Sequence, residues 1–376
     1  MTRFTKLLSV SALLVCCAIP AAGDAYFTGL GKLGGDDSYS SRAYGISADG
    51  TTIVGTSYTP DGYEPFRWTL ETGMVGLGGA GFYSASWDTP SAHDVSADGS
   101  VIIGVAELVA GEHNAFRWTA ETGMVALGDL PGGDDYSVGW ECSDDGQIVV
   151  GRSYTQHYAL HAFRWTADTG MVDLGTMGSP MASASANGIT ADGTVIVGQH
   201  HFSPDAAFRW TAEEGMTPLP PDPGGGTVNS ATAICADGSV IVGSVGSGPE
   251  MHAAMWTGDD ITLLPDVTGG AAPLSATGIS ADGSTIVGEL APTGAFIWDA
   301  AHGTRELGQV LQDVYGLDLA GWSLRNTYSI SADGLTVIGW GVNPDSHIEA
   351  FVAHLPEPGT LALLIFTLPL AIRRER

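Results

Sequence analysis

Asp49-Gly50-Thr51-Thr52-Ile53-Val54-Gly55 is the stretch on which the reading of this 376-residue chain turns. The same spacing, Asp-Gly and then a further glycine after four mostly apolar residues, returns six more times. It appears as Asp98-Gly99…Gly104, Asp145-Gly146…Gly151, Asp192-Gly193…Gly198, Asp237-Gly238…Gly243, Asp282-Gly283…Gly288 and Asp333-Gly334…Gly339. Successive aspartates lie 49, 47, 47, 45, 45 and 51 residues apart. A fixed period in this range marks an array of one supersecondary unit rather than an enzyme domain with scattered motifs.

The unit itself reads as four short strands. Tyr44-Gly45-Ile46-Ser47 leads into the Asp-Gly pair and Thr52-Ile53-Val54 leaves it. Asp-Gly between two apolar runs is a hairpin signal of the type I′ kind, in which both central residues need positive φ. Pro65-Phe66-Arg67-Trp68-Thr69 supplies a third strand, echoed by Phe116-Arg117-Trp118, Phe163-Arg164-Trp165 and Phe208-Arg209-Trp210. Weaker echoes are Ala254-Met255-Trp256, Phe296-Ile297-Trp298 and Phe351-Val352-Ala353. A turn at Glu71-Thr72-Gly73 then opens a fourth strand, Met74-Val75-Gly76-Leu77-Gly78. Four antiparallel strands per repeat of this length is the arithmetic of a propeller blade; a β-helix rung is far shorter.

In the third strand Phe66 and Trp68 share one face and Arg67 takes the other. Burial of one such aromatic is worth roughly 1.5–3 kcal/mol. Trp68, Trp118, Trp165, Trp210, Trp256 and Trp298 are therefore expected to cement blade to blade. The two ends of the array complement one another. Phe27-Thr28-Gly29-Leu30-Gly31-Lys32-Leu33-Gly34-Gly35 matches a fourth strand with no first three before it, while the last repeat, Tyr328 to Leu355, has three strands and no fourth. The expected fold is all-β, a seven-bladed β-propeller closed by pairing the N-terminal strand with the last blade, which removes exposed edges. An inserted stretch, Gln309–Leu324, obscures the strand boundaries of the sixth blade.

The termini read differently from the body. Arg3 and Lys6, an apolar run from Leu7 to Ile19 and the small residues Ala21, Ala22 and Gly23 have the layout of a secretory signal peptide over 1–23. At the other end Pro356-Glu357-Pro358 precedes an apolar run from Gly359 to Ile372, and Arg373, Arg374 and Arg376 close the chain. As a helix that run reaches only about 21 Å, short of a hydrocarbon core of roughly 30 Å, so it suits a transient membrane passage rather than a permanent anchor. Residues 1–23 and 356–376 hold five of the 14 basic and two of the 42 acidic residues; the 24–355 body keeps 9 and 40, a net charge of −31. Such a body repels nucleic acid. It stays dispersed and favours cationic partners. Cys142 and Cys235 sit in repeats three and five, which are not neighbours, so the fold is expected to stand on packing alone.

Two resemblances follow from these phrases. The order Pro-Glu-Pro, apolar run and arginine cluster over 356–376 resembles the PEP-CTERM sorting tail of Gram-negative bacteria. That resemblance implies export, handling by signal peptidase and an exosortase, loss of the tail, and delivery to the cell surface or an extracellular polysaccharide matrix. The Ser-Ala-Asp-Gly, Phe-Arg-Trp-Thr and Gly-Met-Val-x-Leu-Gly phrases over about residues 27–355 resemble the bacterial extracellular repeat family labelled HAF. It implies export and a propeller-like fold and supplies no catalytic residues to carry over.

Chemical motifs are few. Gly29-x-Gly31-x-x-Gly34 has the letters of a dinucleotide fingerprint, but it recurs as a repeat strand with no helix after it. Gly146 to Ser153 approaches a phosphate loop, lacks the lysine, and carries β-branched residues that suit a strand. The seven turn carboxylates at Asp49, Asp98, Asp145, Asp192, Asp237, Asp282 and Asp333 would sit on one face. They offer oxygen ligands of the kind a structural divalent cation such as calcium takes, although no copy has the alternating spacing of a calcium loop and turn formation alone accounts for them. His157, His161, His200 and His201 lack zinc spacing. The expectation is an exported binding or structural module without a cofactor, for polysaccharide or another surface protein. The alternative is a propeller enzyme acting on polysaccharide, which requires a carboxylate pair in the central channel.

Overall fold

The computed structural model describes residues 24–356, apart from 35–39, 80, 82–88, 110, 111, 134, 202–204, 223, 226–228, 269 and 293. Seven four-stranded antiparallel sheets stand around a common axis, six of them with their strands in chain order from the inside outwards and the last with the N-terminal strand outermost. The protein is a seven-bladed β-propeller. The first blade comprises Ser41–Ile46, Ile53–Thr59, Gly62–Thr69 and Gly73–Gly76. The last takes Ser323–Ile330, Thr336–Val342 and Ile348–His354 from the C-terminal end and Tyr26–Gly29 from the N-terminal end. The closing pair runs Tyr26↔His354 through Gly29↔Phe351, as the matching halves of the repeat lead one to expect. Residues 1–23 and the sorting-tail residues Glu357, Pro358, Arg373 and Arg374 lie outside the described residues; Pro356 is the last within them.

The glycine that closes each Asp-Gly phrase is a packing requirement. Gly55 pairs with Phe66 across the sheet, and the pairing recurs at Gly104/Phe116, Gly151/Phe163, Gly198/Phe208, Gly288/Phe296 and Gly339/Phe351. A Cβ on Gly55 would land on the carbonyl oxygen of Arg42 and against the Phe66 ring. The glycine lets the ring lie flat over the backbone, and all six phenylalanines are fully buried.

The Asp-Gly turns differ from the type I′ expectation. Only the glycine takes positive φ, +73° at Gly50; no aspartate does. Gly50 N–H bonds to the Ser47 carbonyl, so Ala48 and Asp49 are the central residues and the glycine follows them. The aspartate instead locks the turn from its side chain. Asp49 Oδ1 accepts the Ser47 hydroxyl at 2.7 Å and the Thr51 N–H at 3.0 Å. Asp98, Asp145, Asp192, Asp282 and Asp333 repeat the arrangement, and at Asp237 the Cys235 thiol replaces the hydroxyl.

These turns also close a ring of their own. Ala48 N–H donates to the Ala97 carbonyl, Ala97 to Asp144, Asp144 to Ala191, Ala191 to Ala236, Ala236 to Ala281, Ala281 to Ala332, and Ala332 back to Ala48, at 2.9–3.3 Å. Each donor is an amide that the hairpin leaves unpaired, so neighbouring blades satisfy one another.

Seven hydrophobic clusters, one per blade interface, form the core. Trp68 joins Ile338, Ala350 and Val352 of the last blade, and Trp256 meets Val197 and Ala207 of the fourth. Trp118, Trp165, Trp210 and Trp298 are half-buried at the other interfaces, outside the deeper phenylalanines. The seventh repeat has Ala353 where the others have tryptophan. There the insertion helix Leu307–Asp313 supplies Leu307, Val310 and Leu311, and Trp322 packs alongside. The sixth blade is complete before the insertion, ending with Gly303–Glu306. No helix among the described residues is long and apolar enough to cross a membrane.

Candidate functional site: the central channel

The innermost strand of every blade carries a β-bulge, and the bulge builds the channel wall. In the first blade Ala43 pairs with Gly55 and Gly45 with Val54, which leaves Tyr44 unpaired. The same shift leaves out His93, Trp140, Asn187, Thr232, Thr277 and Tyr328 in blades two to seven. A bulge re-aims one side chain without ending the ladder. All seven of these side chains line the axis, and each lies five residues before its repeat's turn aspartate.

The seven form a collar between two chambers. On the side where the inner strands begin, with Thr89 and Ser91 at its rim, the cavity holds about 410 Å³; towards the Asp-Gly turns it holds about 130 Å³. One arc of the collar is aromatic. Tyr328 and Tyr44 meet edge to face at 4.9 Å, Tyr44 and His93 at 5.8 Å, and His93 stacks on Trp140 at 4.4 Å. Asn187, Thr232 and Thr277 make the opposite, polar arc. His93 Nδ1, Asn187 Nδ2 and the two threonine hydroxyls each donate to the carbonyl just before the bulge in the next blade: Gly139, Ala231, Ala276 and Thr327.

The inner chamber is acidic. The residue after the bulge is small in five blades (Gly45, Gly188, Ala233, Gly278 and Ser329), whereas the adjacent blades two and three carry Asp94 and Glu141. Asp94 Oδ2 accepts Cys142 N–H at 3.0 Å, and Glu141 Oε2 accepts Ile189 N–H at 3.1 Å. Each carboxylate thus reaches the equivalent amide of the next blade. Burial pushes the Asp94 carboxyl up to about 6 against these hydrogen bonds. Glu141 is held well above the usual carboxylate range by burial first and then by the charge of Asp94. Two guanidiniums lie against the collar: Arg42 is hydrogen-bonded to Tyr44, and Arg152 sits 5.4 Å over the Trp140 ring.

The residues singled out in the sequence lie elsewhere. The seven turn aspartates are exposed around the opposite face, and hydroxyl or thiol and backbone hydrogen bonds hold Asp98, Asp145, Asp192, Asp237 and Asp282 below the usual carboxylate range. No group of three His, Cys, Asp or Glu placed to hold a metal occurs among the described residues. His161 is bound to Asp173 at 2.8 Å and to the Pro180 carbonyl at 3.0 Å, which fixes an inter-blade loop. Cys142 and Cys235 are buried free thiols. A larger open groove of about 830 Å³ runs between blades three and four beside Arg164, Asp192 and Arg209. It is built from third- and fourth-strand and turn residues, of which the arginine recurs only in blades one to four (Arg67, Arg117, Arg164 and Arg209), and unlike the channel it is bounded by two blades alone.

The collar and the acid pair are the residues sequence reading missed. Aligning the repeats on their aspartates exposes the signal: one position that is Tyr, His, Trp, Asn, Thr, Thr and Tyr in turn, followed by one that is small except for Asp94 and Glu141.

No protein-family model matches the chain, and no curated protein does. Solved structures do resemble it. An oligogalacturonate lyase from Vibrio parahaemolyticus shares 12% identity with a TM-score of 0.56 over 89% of this chain and 98% of its own. The Cps50 (Swd1) β-propeller domain of Myceliophteria thermophila shares 11%, TM-score 0.50, over 87% and 99%. TolB from Acinetobacter baumannii shares 12%, TM-score 0.47, over 69% of this chain, which spans 63% of that one. At these identities the likeness is one of fold.

Proposed function

We propose that the protein is an exported, surface-associated binding module, non-catalytic, which takes its ligand into the outer chamber of the central channel. The ligand would be a polysaccharide or a surface protein. Signal peptidase and an exosortase would act on the termini, on the strength of their residue order. The observation that carries the reading is the collar: a rigid scaffold repeated seven times presents a varied set of side chains to one cavity of about 410 Å³, within the rough 300–1,000 Å³ range of small-ligand sites. Half of the wall is aromatic and half is hydrogen-bonding, which suits a ligand with an apolar ring and polar substituents.

A second reading is favoured by Asp94 and Glu141. A polysaccharide-acting enzyme needs two carboxylates in the channel, and a carboxyl raised towards neutrality can act as a proton donor. Against an anionic substrate such as a uronate chain, the same pair is repulsive. Glycan-array binding of the full chain, with Trp140→Ala and Thr232→Val beside it, tests the first reading. Binding without change in the bound glycan, lost in the two variants, supports it. Turnover that vanishes in Asp94→Asn, or binding indifferent to both collar variants, refutes it.

A further inference from the structure

We propose that the mouth of blade three is a polysaccharide track, an aromatic path from the collar at Trp140 out to the hairpin tip at Tyr158. A neutral pyranose chain lies along it with one unit in the outer chamber. The inference rests on the reading of the channel as the ligand site and names the ligand as a chain of sugars rather than a protein.

Four aromatic residues of blade three make the path. Arg152 lies over the Trp140 ring and donates to the Tyr136 hydroxyl at 3.2 Å, so one guanidinium joins the collar to the next ring outwards. Tyr136 and Tyr154 meet at 5.1 Å, and the Tyr154 N–H donates to the Tyr136 carbonyl. Tyr154 ends the second strand, which runs back from the Asp-Gly turn to the channel mouth, and Tyr158 stands in the hairpin that follows. With strands roughly 4.8 Å apart, a hairpin joining strands two and three stands about 5–10 Å out from the inner strand. Counted from the turn aspartate, no other blade repeats the Tyr136 and Tyr154 pair: blade two has Thr89 and Glu107, blade four Ser183 and His201, and the last blade Leu324 and Val342.

Tyr158 is held out at a conformational cost. Its φ is +57°, in the left-handed region where a Cβ is crowded, yet the side chain is 76% exposed. Thr155 N–H donates to the Ala159 carbonyl and Tyr158 N–H to the Thr155 carbonyl, both at 3.0 Å, which fixes the turn. The last blade builds the same hairpin, with Asn343 N–H to His347, Ser346 N–H to Asn343, and Ser346 at φ +68°. The turn therefore requires the backbone conformation and not the ring. A bulky exposed ring on a strained, rigid turn points to recognition. Met181, 72% exposed, projects from the neighbouring connection, which the Leu160 N–H to Ser183 Oγ bond and the His161 bond to the Pro180 carbonyl tie to the same hairpin. The chemistry of the path selects the ligand. A pyranose offers an apolar C–H face to an aromatic ring and hydroxyls at its edge, so rings in succession suit a chain of sugars and the polar arc of the collar suits the edge of one unit. A body with 9 basic and 40 acidic residues repels a polyanion, which makes the chain neutral.

Affinity electrophoresis of the full chain through gels containing neutral glucans, mannans or xylans is the test, followed by isothermal titration with oligosaccharides, dimer to hexamer, of the polysaccharide that retards it. Wild-type affinity should rise at least tenfold from dimer to hexamer. Tyr158→Ala should remove most of that rise and Tyr158→Trp should keep it. Tyr158→Gly should remove it while unfolding no earlier than wild type, which separates recognition from folding. Trp140→Ala should weaken binding at every length. An affinity independent of length, or the same length dependence in Tyr158→Ala, overturns the track; if that affinity is still lost in Trp140→Ala, the channel site stands without it. A protein-docking role for the tyrosine would leave every glycan affinity unchanged in its variants, which is the same overturning result. Tighter binding to a polyuronate than to the neutral chains overturns the choice of ligand. No retardation in any gel overturns the track and the polysaccharide reading of the channel together.

Discussion

Replacing Asp94 with asparagine should stabilise the protein above pH 6 and leave it unchanged below pH 4. Burial raises the Asp94 carboxyl from an ordinary 3.8 to about 6 in the fold. A group whose folded pKa is raised contributes stability that is fully present below the unfolded value and is lost as pH rises through the folded value. The gap of about two pH units at 1.36 kcal/mol per unit makes the ionised carboxylate cost about 3 kcal/mol at neutral pH. The asparagine side chain would keep an oxygen for the Cys142 amide and carry no charge, so most of that cost should disappear. Part of the effect would arise at Glu141, because the charge of Asp94 is one of the causes that raise it. Stability changes in Asp94→Asn and Glu141→Gln should therefore not add.

Calorimetric and denaturant unfolding of wild type and Asp94→Asn from pH 4 to pH 8 would measure this. The expected difference is near zero at pH 4 and grows to between about 1 and 3 kcal/mol in favour of the variant by pH 7. The turn carboxylates cannot imitate it. Asp98, Asp145, Asp192 and Asp282 are shifted downwards, so the stability they contribute is lost only as pH falls below 3.8. A variant less stable than wild type throughout, or a difference that does not change between pH 4 and pH 7, would refute the assignment of a buried, uncompensated charge.

Three further outcomes follow from the fold. Gly55→Ala should cost roughly 2–4 kcal/mol, since its Cβ meets the Arg42 carbonyl and the Phe66 ring, whereas Gly73→Ala, at φ +65° in open space, should cost only about 1–2 kcal/mol; paired denaturant melts compare them. Deleting Asp24–Leu30 should bare the edge of the last blade and remove Phe27 from its packing with Trp322 and Phe351, giving a broadened unfolding transition and concentration-dependent association by light scattering. His161 should titrate above the usual histidine range because Asp173 and the Pro180 carbonyl both receive its protons; its contribution is present below pH 6.5 and lost as pH rises through the folded value, and Asp173→Asn should lower that value in an NMR titration.

The architecture is legible in the sequence because its determinants are local and repeated. A glycine that must lie under a phenylalanine, and an aspartate that must cap its own turn, impose the same letters in nearly every copy. The ring closure is legible for the same reason, since Phe27-Thr28-Gly29 carries the pattern of a fourth strand. Turn type is not, because Asp-Gly letters serve two hairpins; the decisive partner is Ser47, two residues earlier, which gives the aspartate a hydroxyl to accept. The collar stays hidden because a bulge leaves no letter of its own. Tyr44 and Trp140 look like ordinary strand aromatics. Only the pairings of Ala43 with Gly55 and of Gly45 with Val54 show Tyr44 to be excluded, and Gly139 and Glu141 do the same for Trp140.

That exclusion explains how a closed ring can host a variable site. A strand residue in register must satisfy the packing on its face, so its identity is tied to stability. The bulged residue has no cross-strand partner, and its structural duty in four blades is one hydrogen bond to the next blade, which His93, Asn187, Thr232 and Thr277 discharge with three different chemistries. Tyr44, Trp140 and Tyr328 occupy the same position, the tyrosines in contact with each other and Trp140 with His93. Asp94 and Glu141 break this pattern. They occupy a position filled by small residues in the other five blades, and they carry a charge that burial opposes. A scaffold repeated seven times offers five examples of how to fill that position at no electrostatic cost. Two adjacent departures facing one chamber make Asp94 and Glu141 the first positions at which to test the channel for a ligand.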